Sequence, residues 1–415
     1  MNATQRVFVG GSMALLILFS SPSPALADPG TLEKEGDTVA ATEESAFPVS
    51  GALEVQVGSP TAPISVGFNH VCGVTADGAA YCWGANDSGQ LGDGTEEVRA
   101  EAAPVVGDLQ FHAISAGQRR TCGLTADDRI HCWGLNRFGA LGDGTDTNRS
   151  EPGPVAGNQS YSAVSLGTRH TCGLTPDGEV HCWGVNRQGQ LGDGTLENRS
   201  EPTRVETDLS FTTVSTGLEH TCALTEAGEA HCWGANHLAQ LGDGERTDAR
   251  TEPIRVAGEM TFEAIAAGYN VTCGLTAAGE AYCWGVNHTG AVGDGTDELR
   301  LEPTRVDSDQ TFRSISVGQL HVCAVTEDGA PYCWGLNSRG QLGDGSRTSR
   351  SVPTPVAGDL ALEFISAKAH HTCGVTSEGE AHCWGRDQTE SLGADPATDR
   401  TEPERVAEGV VFGSP

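Results

Sequence analysis

Apolar and polar positions alternate in short runs separated by glycine-bearing turns, the pattern of half-buried strands. One stretch reads Thr171-Cys172-Gly173-Leu174-Thr175, then Pro176-Asp177-Gly178, then Glu179-Val180-His181-Cys182-Trp183. Two β-prone runs flank a three-residue loop. Pro176 suits position i+1 of a type I turn, and Gly178 suits the left-handed position of a bulged hairpin. Asp128 fills that slot in another copy, and aspartate tolerates the conformation better than most residues. Counting outward pairs Leu174 with Val180, Gly173 with His181 and Cys172 with Cys182. Alternation then predicts Cys172, Leu174, Val180 and Cys182 on one face, with Gly173, His181 and Trp183 on the other.

The same hairpin is written seven times. Its cysteines are Cys72 and Cys82, Cys122 and Cys132, Cys172 and Cys182, Cys222 and Cys232, Cys273 and Cys283, Cys323 and Cys333, and Cys373 and Cys383, at a step of 50 residues and once 51. Each second cysteine precedes Trp-Gly, which accounts for all 7 tryptophans. A fixed period of this size marks a repeat architecture. Directly opposed antiparallel residues have Cα atoms roughly 4.5–5.5 Å apart, within disulfide range. The sequence therefore predicts seven disulfides, each inside one hairpin. Closing a loop of about 11 residues is worth roughly 2–3 kcal/mol on the chain-entropy model.

A second block follows each hairpin, as in Gly189-Gln190-Leu191-Gly192-Asp193-Gly194-Thr195 with Arg199 downstream. The Asp recurs at 93, 143, 193, 243, 294 and 344, with Ala394 as the exception, and the Arg recurs in all seven copies. An Asx-type turn or an Asp–Arg pair fixing the loop is the favoured reading. A calcium ligand is the alternative, although the spacing matches no established calcium loop. Further apolar runs such as Thr203-Arg204-Val205 and Phe211 to Gly217 bring the count to four strands per unit. Units of this kind bury their faces by stacking radially. The expected fold is all-β, a seven-bladed β-propeller of four-stranded antiparallel blades over residues 51–415. Phe47-Pro48-Val49 and Ala62 to Gly67 are expected to lead into the first unit, and Val410-Val411-Phe412 to finish the last, so the ends should meet and share a blade.

Residues 1–27 read as a signal peptide: Arg6, an apolar run through Phe19, and the small-x-small site Ala25-Leu26-Ala27. The run is too short for a membrane span of roughly 20 residues. Residues 28–50 read as an acidic, disordered linker. The expected location is secreted, whether extracellular, periplasmic or in the cell envelope, where cysteines oxidise. Acidic residues outnumber basic ones 56 to 25, for a net charge of −31. That excludes a general electrostatic grip on nucleic acid or an anionic membrane.

Histidine lies two residues before the first cysteine at His70, His170, His220, His321 and His371, and directly before the second at His131, His181, His231 and His382. Such density raises zinc as an alternative. The cysteine spacing is not a knuckle, however, and the histidine slots vary. Bonds to backbone or to neighbouring strands are the favoured role, and no metal or cofactor is expected. No catalytic constellation stands out, because every Ser/His/Asp combination repeats. The departures Arg386-Asp387, Thr389-Glu390-Ser391 and Ala394 read as a degenerate closing blade. Where copies differ, residues are free to serve a partner. One variable ring follows the Ile-Ser-x-Gly run and includes Phe68, Arg119, Arg120, Arg169, Tyr269, Leu320 and Lys368. Another follows Trp-Gly-x-Asn and includes Arg137, Phe138 and Arg187. Turns concentrate binding residues, and exposed aromatic and Arg side chains are typical anchors. Five arginines in one sector of an acidic protein point to a carboxylate-bearing partner.

Val214 to Gly217, His220-Thr221-Cys222, Cys232-Trp233-Gly234-Ala235-Asn236 and Gln240-Leu241-Gly242 together resemble the regulator of chromosome condensation repeat, over roughly residues 55–412. The resemblance implies a seven-bladed propeller that binds other macromolecules. Some relatives act on small GTPases and chromatin, and a secreted one blocks an enzyme. An export signal, paired cysteines and the lack of a basic tail set this chain apart from nuclear members and disfavour guanine-nucleotide exchange. The expectation is a secreted, monomeric, non-catalytic propeller whose rim loops bind a protein or cell-surface ligand. A lyase or hydrolase site in the central channel is the alternative.

Overall fold

Closely repeated hairpins dictate the architecture, a computed structural model of which describes residues 62–387, 392 and 398–413. The signal peptide, the linker, Phe47-Pro48-Val49, Thr389-Glu390-Ser391 and Ala394 lie outside the described residues. Blade 1 is a four-stranded antiparallel sheet of Ile64–Val66, His70–Val74, Ala80–Gly84 and Arg99–Pro104. Blades 2 to 7 repeat it over 111–154, 163–204, 211–255, 264–305, 312–355 and 364–406. The first strands of successive blades touch all the way round, so they line the axis.

The hairpin register is the one the alternation predicts: Cys172 opposes Cys182, Gly173 opposes His181 and Leu174 opposes Val180. The turn closes with Gly178 at φ 83°, and Asp128 adopts φ 61° in its place. Thr175 N–H donates to Glu179 O at 2.9 Å. Counting pairs from there makes the cysteine pair non-hydrogen-bonded, the class in which Cα atoms come closest.

All fourteen cysteines pair within their own hairpins. Cys72 bonds Cys82, Cys122 bonds Cys132, Cys172 bonds Cys182 and Cys222 bonds Cys232. In the last three blades Cys273 bonds Cys283, Cys323 bonds Cys333 and Cys373 bonds Cys383. No cysteine is left free. The Cα–Cα distance is 4.1 Å in every pair, closer than the span expected from strand geometry alone. The non-hydrogen-bonded position and the covalent bridge both draw the strands together.

The two faces of each hairpin bury against different neighbours. Cys172, Leu174, Val180 and Cys182 pack on Phe211, Ala223 and Trp233 of blade 4. Trp183, on the other face, packs on Cys122, Leu124 and Cys132 of blade 2. Its indole N–H donates to Ala140 O at 3.1 Å. Among the described residues the blade before six of the tryptophans presents a glycine to the indole: a Cβ on Gly142 would sit 2.6 Å from the Trp183 ring nitrogen.

Polar seams run around the axis between blades. A serine near the end of the first strand accepts a hydrogen bond from a backbone N–H of the next blade: Ser65 from Ala116, Ser115 from Leu166, Ser165 from Thr216, Ser215 from Ala267, Ser316 from Ala367 and Ser366 from Val66. Ala266 interrupts the ring. Outside it lie the histidines. His70 Nε2 meets Thr121 Oγ1 of blade 2 at 2.9 Å, and that hydroxyl donates to Gln90 O. The hydroxyl therefore accepts, and the neutral imidazole carries its proton on Nε2. His170–Thr221, His220–Thr272 and His321–Thr372 repeat the arrangement. These four histidines thus tie blades together, as the favoured reading expects.

The ends meet by a narrower contact than a shared sheet. Each blade takes its four strands consecutively from the chain. After blade 7, Phe412 forms an isolated bridge with Thr75 of blade 1 and packs on Trp83 and Gly73. Phe111 bridges Thr125 and packs on Gly123 in the same way in blade 2. One residue from the far end therefore supplies what a residue in or just before the first strand supplies in every other blade.

Candidate functional site

The repeated Asp block is a loop clamp. Asp93 Oδ1 accepts from Asn86 Nδ2, from Thr95 N–H and from the Thr95 hydroxyl, and Oδ2 accepts from Arg99 Nε at 2.8 Å. Burial pushes its carboxyl up, but the bonds from Arg99, Thr95 and Asn86 outweigh it and hold the pKa below the ordinary carboxylate value. The Asp–Arg pairing recurs at Asp143–Arg149, Asp193–Arg199, Asp243–Arg250, Asp294–Arg300 and Asp344–Arg350. These carboxylates already have internal donors, which favours the clamp over calcium.

The loops after the first and third strands of each blade lie at one end of the sheets. In blades 2 and 3 they enclose a cleft of about 400 Å³ lined by Arg119, Arg120, Arg137, Phe138, Arg169 and Arg187. All five arginines that the sequence places in one sector converge here. Arg119 pairs with Asp87 of blade 1 at 3.0 Å, and Arg169 lies 3.8 Å from Glu219 of blade 4. Arg137 and Arg187 are exposed, and no ion pair involves them among the described residues. Their guanidinium carbons stand 4.8 and 5.6 Å from the centre of the Phe138 ring, within cation–π range.

Arg120 plays a different part from the other four. Its sequence position groups it with the variable loop residues, but it occupies the histidine slot of blade 2 and is buried, 3 % exposed. Its guanidinium donates to the backbone oxygens of Gly167, Thr168 and His170 and to Thr171 Oγ1. It forms the floor of the cleft and fixes the loop that carries Arg169. Burial lowers its pKa to about 10.

Phe138 is held at φ 67°, a left-handed conformation that costs a non-glycine residue about 1–2 kcal/mol. Two residues on, blade 2 lacks a cap that four other blades carry. In blades 1, 3, 4 and 6 the glutamine of Gly/Ala-Gln-Leu-Gly caps the turn, its Oε1 accepting from the N–H of Ser88, Gln188, Leu238 or Arg339 at 2.8–2.9 Å. Blade 2 has Ala140 in that slot and forms a short 3-10 turn over Arg137–Gly139 instead. Blade 5 has Ala291 there, and the Thr289 hydroxyl bonds Leu320 O. Sequence reasoning misses both the absent cap and the conformation of Phe138, although Ala140 is visible as an irregular letter in a regular motif.

Lys368 also differs from its expected place. It occupies the slot held by glycine in the other six blades, where a Cβ on Gly67 would lie 2.4 Å from His70. From blade 7 its ammonium donates to Leu166 O on blade 3, so the side chain crosses the axis. Burial, then the Arg120 charge, lowers its pKa to about 8. The Tyr269 hydroxyl of blade 5 lies near Thr168 of blade 3, and burial raises its pKa to about 12. Tyr269 and Lys368 thus converge on blade 3 from across the channel. Phe68 is half-buried, its N–H donating to Gly117 O at 3.0 Å. Leu320 is half-buried and packs in the core shared by blades 5 and 6. The structure does not bring these two into the arginine cleft.

Fold and cleft together define a propeller that presents a cationic pocket between two blades of an acidic ring. Models of the regulator of chromosome condensation (RCC1) repeat match residues 127–174, 177–224, 227–275, 278–325 and 328–375, and a second model of that repeat matches seven shorter segments between 64 and 389. The chain belongs to the RCC1 repeat family. No curated protein matches the sequence. Among solved structures, yeast RCC1 (Prp20) bound to Kap60 is similar at a TM-score of 0.70 and 20 % identity, over 90 % of this chain and 91 % of that one. Prp20p from Saccharomyces cerevisiae, described with its binding to Gsp1p and histones, gives 0.69 and 22 % over 79 % and 86 %. Human WBSCR16 gives 0.69 and 22 % over 75 % and 85 %. Likeness at this level of identity shows the fold.

Proposed function

We propose that this protein is an exported, non-catalytic propeller that binds a carboxylate-bearing protein partner through the cleft between blades 2 and 3. The observation that carries the reading is the convergence of Arg119, Arg137, Arg169 and Arg187 around Phe138 on a chain of net charge −31. A cationic pocket with an aromatic centre has the composition of an interface hot spot. Acidic surroundings repel anionic partners approaching anywhere else. Similar propellers bind proteins, as the Kap60 complex of Prp20 records. Seven cysteine pairs at disulfide distance support export to an oxidising compartment. Lys368 and Tyr269 crossing the channel support binding over an axial active site.

The test is capture of a partner from the native culture supernatant or envelope, followed by calorimetric titration with the purified partner. Combining Arg119→Ala, Arg137→Ala and Arg169→Ala should weaken binding at least ~100-fold, since hot-spot arginines are each worth about 2 kcal/mol or more. Unchanged affinity ends the reading.

A further inference from the structure

We propose that the cleft recognises the side-chain carboxylate of an acidic, extended peptide segment, and that Ala140 is the positioning residue that builds it by leaving Phe138 uncapped. The inference rests on the binding role given above and adds the acidic side chains of a peptide as the recognised groups and the device that sets the platform.

Four blades hold the equivalent turn closed with a glutamine cap. Blade 2 has no cap, and there Phe138 is left-handed with two guanidinium groups over its ring, whereas in uncapped blade 5 the Thr289 hydroxyl is tied to Leu320 O and Thr289 is not left-handed. A guanidinium stacked on a ring keeps its in-plane N–H groups free, and that edge matches the two oxygens of a carboxylate. Arg137 and Arg187 are the two cleft arginines with no ion pair among the described residues. Their neighbours show which anion suits the place, because Arg119 and Arg169 already face side-chain carboxylates, of Asp87 and Glu219. Buried Arg120 on the floor adds positive potential and bonds only backbone oxygens and one hydroxyl. A strained aromatic at the centre of unpaired charge fits strain retained for binding.

A labelled decaglutamate peptide serves as the probe, titrated by fluorescence anisotropy against the full, disulfide-bonded protein at low salt. A neutral decaglutamine peptide and a sulfated oligosaccharide are run beside it. The wild-type protein should bind decaglutamate in preference to both. Ala140→Gln restores the cap and leaves Phe138 and every cleft arginine in place, altering only the lining position 140 itself. It should weaken the peptide at least roughly tenfold, the loss expected for one anchor, while the melting temperature holds or rises. Phe138→Gly removes the ring and relieves the strain, and should give the same loss with a raised melting temperature. If Ala140→Gln proves unstable, Phe138→Gly carries the test alone. Wild-type affinity in both variants overturns this inference. If the triple arginine variant still loses the partner in that case, the binding role itself stands. Preference for the sulfated oligosaccharide overturns the carboxylate assignment.

Discussion

Two seams of the ring, between blades 1 and 2 and between blades 7 and 1, do the same job with different parts. At the first, His70 hydrogen-bonds Thr121, glycine stands at position 67, and Phe111 belongs to the blade it completes. At the second, His371 faces a blade that carries Val71 where five of the others carry threonine, and its buried Nε2 has no hydrogen-bond partner among the described residues. Lys368 replaces the glycine, and Phe412 reaches blade 1 from the opposite end of the chain. Both seams keep the serine bond, Ser65 to Ala116 N–H and Ser366 to Val66 N–H. Backbone-directed contacts are preserved where the ring closes, while side-chain pairs are allowed to lapse.

Acid should separate the seams most. Burial pushes His70, His220, His321 and His371 down to about 3. His170 is lowered for the same reason, helped by the nearby Arg120 charge. A folded pKa below the unfolded value of about 6.5 means that the unfolded chain binds more protons between the two values. The stabilisation is therefore complete above about pH 6.5 and is lost as pH falls toward 3. Each such shift is worth on the order of 4 kcal/mol by the bottom of the window. Urea unfolding followed by tryptophan fluorescence should show stability dropping steeply below pH ~6.5, before most carboxylates titrate. His371→Val would copy the Val271/Val322 seam and flatten that slope by one proton, about 1.4 kcal/mol per pH unit. A profile flat from neutrality down to the carboxylate range rules the buried neutral histidines out.

Phe412 and Phe111 give the next largest contrast. Each ring is 2 % exposed. Truncating a buried phenylalanine to alanine costs about 3–5 kcal/mol. Phe111→Ala should cost that amount and leave its strand attached. Phe412→Ala should cost at least as much and also release the contact between the two ends, read as faster proteolysis after Val406. Equal proteolysis in the two variants would show that closure does not depend on Phe412.

The sequence carries the fold almost whole, because repetition shows each rule seven times: Cys172 opposite Cys182, Trp183 on the far face, Gly178 in the turn. It carries the arginine sector as well, because five arginines in two adjacent copies break the pattern. Single substitutions are harder to place. Arg120 counts both as a loop residue and as the occupant of a histidine slot, and Lys368 counts as a loop residue yet fills a glycine slot. The difference lies in which strand ends where, and a register error of one residue turns a buried cation into an apparent rim anchor. Phe138 is visible as a candidate but its left-handed conformation is not, since uncapped Thr289 of blade 5 occupies the same place without adopting it.

The smallest effect tests whether the serine ring matters for its own sake. Val317 N–H, in the position that meets a serine hydroxyl in the other six seams, faces Ala266. Ala266→Ser should complete the ring and add about 1 kcal/mol, the usual net value of a single hydrogen bond. Ser65→Ala should lose more, because it leaves the Ala116 N–H without its acceptor next to a buried strand, and orphaning a donor costs about 1–3 kcal/mol. The asymmetry between gain and loss is the diagnostic. If Ala266→Ser destabilises, the blade 5–6 seam is packed too closely around Val317 to admit a hydroxyl, and that break in the ring is steric. If it stabilises, nothing in the packing forbids a seventh bond, and the seam holds without it because Val271 meets Val322 where four other seams carry a polar His–Thr pair.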